Sequence, residues 1–147
     1  MNYGTEFKKY AMSDHSVSSS KLNYYEKQIE NSMTPYILEE REMRATQIDI
    51  FSRLMADRLL WVAGPVNDGM STIVQAQLMF LDSVDKKDIT MHIDSPGGSV
   101  KSGLSMVDVM EYIKSDIRTV NTGMAASMGS VLLGAGTKGK RSSLKHS

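Results

Sequence analysis

From Asp49 onward the chain alternates two spacings of apolar residues. Short unbroken apolar runs predict strands, and stretches with apolar residues three or four apart predict helices. Asp49 suits a helix cap, followed by Ile50, Phe51, Leu54 and Met55 as one stripe. Leu59-Leu60-Trp61-Val62-Ala63 is an apolar run, as expected of a strand covered on both faces. Gly64-Pro65 and Asn67-Asp68-Gly69 are turn signals. Met70 to Val84 predicts a helix with Ile73, Val74, Gln77, Leu78 and Leu81 on one face. Ile89 to Asp94 predicts a strand, and Ser95-Pro96-Gly97-Gly98 a turn. Val100 to Ser115 predicts a helix carrying Leu104, Val107, Met110 and Ile113. Ile117 to Thr122 is a further strand, and Gly123 opens a turn. Ser127 to Gly134 is small and apolar all round, which predicts a buried helix.

Strands alternating with helices of this length define an α/β class with βαβ units and a mostly parallel sheet. Functional loops in such sheets gather at the carboxyl ends of the strands. The two glycine-bearing turns, 95–98 and 123–129, therefore fall on one edge of the sheet.

The remaining sequence changes this picture little. Residues 1–33 are polar, with Ser18-Ser19-Ser20 and no apolar period, and read as a mobile N-terminal extension. The body starts near Thr34-Pro35 and runs to residue 147, a length that suits one domain. Lys+Arg and Asp+Glu are both 17, so the formal net charge is zero. A general nucleic-acid binder or a polybasic membrane-surface protein needs a basic excess. The absence of Cys excludes a disulfide framework, a thiolate metal site and a cysteine nucleophile. No apolar leader stands in the first twenty residues, and no metal-ligand pattern is visible. Thr119 to Thr137 is uncharged, but it holds Asn121 and many small residues. It reads as a buried strand, turn and helix rather than a membrane span. These features together suit a cytoplasmic protein.

Two turns carry candidate chemistry. Gly97-Gly98 can bring backbone N–H groups close to an anion at a helix start, although a tight strand-to-helix turn needs the same residues. Ser127 lies among small residues between strand and helix. It reads equally as a helix cap or as an exposed nucleophile, with the next N–H helping to form an oxyanion hole. No G-x-S-x-G occurs. A serine nucleophile needs a base. The histidines are His15, His92 and His146, and none has a spacing that marks it as that base. Lys138, Lys140 and Arg141 follow the last helix; a lysine there would allow a Ser–Lys mechanism.

Taken together, Pro35 to Arg41, Asp49 to Asp57, Ala76 to Leu81, Ser95 to Gly98, Thr122 to Gly129 and Gly134 to Arg141 resemble the proteolytic subunits of Clp proteases, the ClpP family. The matching pieces occur in the family's order, across residues 34–147, and Pro35 to Glu40 most resembles its Bacteroidetes branch. The resemblance implies a crotonase-like spiral of βαβ units, here without its C-terminal part. It implies a serine endopeptidase acting on unfolded proteins, assembled as a homo-oligomer of two stacked seven-subunit rings. An AAA+ unfoldase would spend ATP to feed it, so the peptidase needs no cofactor. Residue by residue, Ser127 matches the nucleophile, and the amides of Gly98 and Met128 the oxyanion hole. Gly97, Gly98 and Ser99 match the segment that aligns substrate as an added strand.

Tyr36 to Ile48 matches the axial-pore region. Thr90 and His92 match positions of the unfoldase-docking pocket, where aromatics are usual. The family's catalytic His and Asp match positions beyond Ser147, as does the handle that joins the rings; His146 matches a non-catalytic position. The resemblance thus implies that this chain is inactive by itself. A non-catalytic assembly subunit and a Ser–Lys peptidase of the signal-peptide-peptidase type are alternatives. A crotonase acyl-CoA enzyme shares the fold, but Ala125-Ala126-Ser127-Met128 speaks against it.

Overall fold

The computed structural model describes residues 36–41 and 44–147, with Lys9 and Met12 besides. The expected extension, residues 1–33, and His15 otherwise lie outside the described residues. The chain divides into two compact units, Met1–Asp57 and Arg58–Ser147.

In the first unit, β1 (Tyr36–Arg41) and β2 (Arg44–Asp49) pair antiparallel, with Tyr36 opposite Asp49 and Arg41 opposite Arg44. Helix α1 (Ile50–Ala56) follows at once. Asp49 caps it as expected, its carboxylate accepting from Ser52 N at 2.9 Å. Of the predicted stripe, Met55 is buried and Phe51 is exposed.

The second unit runs β3 (Leu59–Ala63), α2 (Asp68–Val84), β4 (Ile89–Ser95), α3 (Val100–Tyr112), β5 (Ile117–Ala125), α4 (Met128–Ala135) and β6 (Arg141–Ser143). Its strands form one parallel sheet in the order β3-β4-β5-β6. This is the α/β architecture the periodicity predicts. Strand order equals chain order, so right-handed crossovers place every helix on the same face. That face carries Leu60, Val62, Ile89, Met91, Ile93 and Ile117, all almost wholly buried.

The single helical layer corrects one expectation. The run Leu59 to Ala63 alternates between buried and exposed, and Trp61 keeps 44% of its surface exposed. The run is apolar on both sides of the strand, yet within this unit only one side is covered. Two helix faces are also corrected. On α3 the buried residues are Ser102, Gly103, Met106 and Met110, whereas Leu104 is exposed. On α4, Met128, Gly129 and Leu132 are buried, whereas Val131 is exposed. Strand β5 continues past Gly123 to Ala125, and β6 has no apolar signature.

The amino end of the sheet is fastened by side chains. The Arg58 guanidinium donates to the carbonyls of Leu81 (2.9 Å), Lys87 (2.7 Å), Asp85 (3.1 Å) and Asp88 (3.1 Å), and to Ser115 Oγ (3.2 Å). Asp82 Oδ1 accepts from the amides of Lys114 and Ser115 and from Ser115 Oγ. Burial alone would raise the Asp82 pKa. The Lys86 and Ser115 hydrogen bonds outweigh it and hold the carboxyl below its ordinary value.

Candidate active site

At the carboxyl end of the sheet the two glycine-bearing turns meet, as the strand topology requires. Gly97 (φ +90°) and Gly98 (φ +151°) both lie where side-chain-bearing residues are strained. Gly97 is also held by contact. A Cβ there would fall 2.7 Å from Ser127 Cβ and 2.8 Å from Met128 N. Gly98 bridges to Val66 in parallel register: Val66 N donates to Gly97 O at 2.9 Å, and Ser99 N donates to Val66 O at 2.8 Å. A Cβ at Gly98 would lie 2.8 Å from Val66 N.

Ser127 sits between β5 and α4 with φ +49° and ψ −123°, and its side chain caps nothing. This separates the two readings that the sequence leaves level. A capping serine has extended backbone and spends its oxygen on the helix amides. Ser127 instead holds a strained left-handed conformation, the kind that persists where surrounding structure over-determines it. The residue is exposed, and among the described residues its Oγ makes no hydrogen bond.

Two amides at this edge are without acceptors among the described residues. Among the described residues, neither Gly98 N nor Met128 N donates to another group of the chain. Met128 N opens α4, where the helix dipole favours negative charge. An exposed hydroxyl beside two unspent backbone donors is an arrangement that can hold a developing oxyanion.

Neighbouring side chains fix these turns. Ser99 caps α3; its Oγ accepts from Ser102 N at 3.3 Å and meets Ser102 Oγ at 2.8 Å. Ser102 Oγ also donates to Asp68 Oδ1 at 2.6 Å. Asp94 Oδ1 accepts from Met124 N at 3.0 Å. Buried Ser95 reaches both turns. The sequence reads Asp68 and Ser95 only as turn residues, whereas Asp68 opens α2 and Ser95 ends β4. The signal available for Ser95 was that it continues the inward alternation of Ile89, Met91 and Ile93 by one more step.

The other candidate residues lie elsewhere. Lys140 Nζ is 2.8 Å from both Asp88 and Asp116, at the amino ends of β4 and β5. Hydrogen bonds to Asp116 and Asp88 raise its pKa. Lys140 is thus at the opposite end of β5 from Ser127 and held as a cation, which removes it as a Ser–Lys base. Arg141 donates from Nε to Gly136 O at 2.6 Å, and Lys138 is exposed.

Thr90 and His92 lie on the open face of the sheet. The His92 ring stacks on Trp61 with centroids 4.8 Å apart. Burial lowers the His92 pKa, and its Nδ1 is buried with no hydrogen-bond partner. His146 is exposed, and among the described residues no hydrogen bond joins either histidine to Ser127. The described residues contain no cluster of metal-ligating side chains, and no described helix is long and apolar enough to cross a membrane.

The fold is a parallel α/β sheet with a strained serine and two free amides at its carboxyl edge. Residues 40–147 match the Clp protease family, and the chain belongs to that family. It is 50% identical over 143 residues to an ATP-dependent Clp protease proteolytic subunit of Bacteroides fragilis, covering 97% of this chain and 65% of that protein. Over 143 residues it is 48% identical to the corresponding subunit of Porphyromonas gingivalis, covering 97% of this chain and 64% of that protein. A Streptococcus salivarius subunit of the same description is 49% identical over 110 residues, 74% of this chain and 56% of that protein. The chain thus spans about 65% of the length of its Bacteroides fragilis relative.

Proposed function

We propose that this chain contributes the nucleophile and oxyanion hole of a serine endopeptidase, the proteolytic subunit of an ATP-dependent Clp protease. The observation that carries this reading is Ser127, exposed in a left-handed conformation beside the unspent amide of Met128. Ser127 Oγ attacks the scissile carbonyl carbon and loses its proton to a base. The amides of Gly98 and Met128 hold the oxygen that becomes negative. The substrate backbone pairs along Gly97 to Ser99, so affinity comes from main-chain hydrogen bonds with little sequence preference. The base is a histidine that the family resemblance places beyond Ser147.

The same reading assigns a cytoplasmic location, stacked seven-subunit rings, no cofactor of the peptidase's own, and an AAA+ unfoldase that uses ATP to deliver unfolded protein. The unfoldase loop docks on the open sheet face at Thr90 and His92.

A fluorophosphonate probe tests the nucleophile. Intact-mass spectrometry of the 147-residue chain shows slow, single-site labelling that Ser127→Ala abolishes. Labelling that persists in that variant overturns the assignment. Turnover of a short fluorogenic peptide stays near background, because no described histidine is bonded to Ser127. Robust turnover lost in Ser127→Ala keeps the nucleophile but demands another base within the chain.

A further inference from the structure

Ser95 ends β4, and its surface is fully buried. The strand's other inward residues are Ile89, Met91 and Ile93, so a hydroxyl here costs free energy unless it is bonded. It is bonded twice. Oγ donates to Gly64 O at 2.7 Å and accepts from Gly97 N at 3.1 Å. Its carbonyl oxygen accepts from Ala126 N at 3.0 Å. The same carbonyl lies against α4, where a Cβ on Gly129 would fall 2.8 Å from it. One residue therefore touches the turn after β3, the Gly97-Gly98 turn and both sides of Ser127.

These contacts have a geometric consequence. The Gly97 amide is tied to Ser95 Oγ, and the Gly97 carbonyl is tied to Val66 N. Both peptide planes flanking Gly97 are then fixed, and the second of them carries Gly98 N. Across the site, the Ala126 amide bond sets the approach to Ser127, and Gly129 seats the first turn of α4, which carries Met128 N. The two free donors belong to different turns, and Ser95 is bonded to or packed against both.

We propose that Ser95 is the positioning residue that holds the two halves of the oxyanion hole in register. The inference rests on the serine-peptidase reading above. Without its hydroxyl, Gly97 N and Gly64 O both lose their partner inside the protein, and the glycine turn relaxes around them. Ser95 does not touch the reacting atoms; it acts through Gly97 and Ala126.

The test compares Ser95→Ala with Thr119→Val in the full 147-residue chain. Thr119 is equally buried and donates to Leu133 O at 2.8 Å, but it lies well before the turn on β5. The probe is the fluorophosphonate already described. In labelling, an Oγ–P bond forms, the P–F bond breaks, fluoride leaves and the proton passes to solvent. Ser95→Ala slows labelling of Ser127 by at least about tenfold, since loss of one oxyanion donor outright costs about a hundredfold or more. Thr119→Val stays within about twofold of the parent. Ser95→Cys keeps a weak donor and acceptor and recovers part of the rate.

Amide resonances supply a second readout that needs no chemistry. Those of Gly98 and Met128 both shift in Ser95→Ala and stay in place in Thr119→Val. Unchanged labelling together with unmoved resonances overturns the role of Ser95. If the parent chain itself is not labelled at Ser127, the peptidase reading fails. The resonances alone then decide whether Ser95 couples the turns.

Discussion

The two ends of the parallel sheet are built on opposite terms. At the amino end, long charged side chains bind backbone carbonyls and one another: Arg58 reaches four carbonyls, Asp82 gathers two amides and a hydroxyl, and Lys140 joins Asp88 to Asp116. At the carboxyl end three glycines, Gly64, Gly97 and Gly98, and Ser127 take positive φ, and two amides stay unspent. The first end lowers the free energy of the fold. Arg58 also takes a positive φ, of 62°, but its side chain is bonded on several sides, whereas the second end leaves a strained serine beside unpaired donors. One sheet can do both because its ends are separated by the length of its strands and the rigid core between them.

The contrast is broken most severely at Gly97. Gly97→Ala places a methyl group against Ser127 Cβ and Met128 N and forces a positive φ on alanine. Fluorophosphonate labelling of Ser127 should fall by about a hundredfold, as for loss of an oxyanion donor. Labelling within a few-fold of the parent would show that the turns need not touch.

The opposite end should respond in stability and not in labelling. Arg58→Ala strands several carbonyls, and urea unfolding should show a loss of about 3 kcal/mol. The rate of Ser127 labelling by the folded fraction should stay within about twofold. Arg58→Lys should recover little, because an ammonium cannot reproduce the fork. Asp82→Asn comes next, at about 1–2 kcal/mol near neutral pH. The folded-state pKa of Asp82 is depressed, so its contribution is present above the ordinary carboxylate value and is lost as pH falls through the lower folded value. The parent should approach the variant in stability toward the acid end of a urea titration series.

His92 gives a smaller, pH-dependent effect on the open face. Burial depresses its pKa below the ordinary 6.5, so the unfolded chain takes up the proton first. Stability is therefore greatest above that ordinary value and declines as pH drops below it. His92→Phe keeps a ring against Trp61 and removes the proton. Thermal midpoints of parent and variant should diverge between neutral pH and about pH 5, with the parent falling more. The smallest change belongs to Lys140→Ala. Its ion pairs are exposed, so its shift in thermal midpoint should be slight and should vanish in high salt.

Much of the second unit was legible in the sequence. The alternation of Leu59–Ala63, Ile89–Asp94 and Ile117–Thr122 with amphipathic stretches gave the parallel class, and that class alone put the two turns on one edge. Periodicity failed where burial depends on a partner element. Trp61 and Leu104 are apolar, and their strand and helix expose them because one helical layer covers one face. β6 was illegible because Arg141-Ser142-Ser143 is short and exposed and carries no apolar side chain.

The sequence by itself determined the alternation of strands and helices, the two glycine turns and the candidacy of Ser127, since these follow from local spacing and residue type. Only the tertiary structure removed the capping reading of Ser127. Its cap reading and its nucleophile reading share one residue pattern, and they differ in a backbone angle at a turn that Gly97 packs against and Ser95 bonds from earlier in the chain. The tertiary structure likewise removed Lys140 from the site: a side chain's usable charge depends on which carboxylates it meets, and those lie distant in sequence.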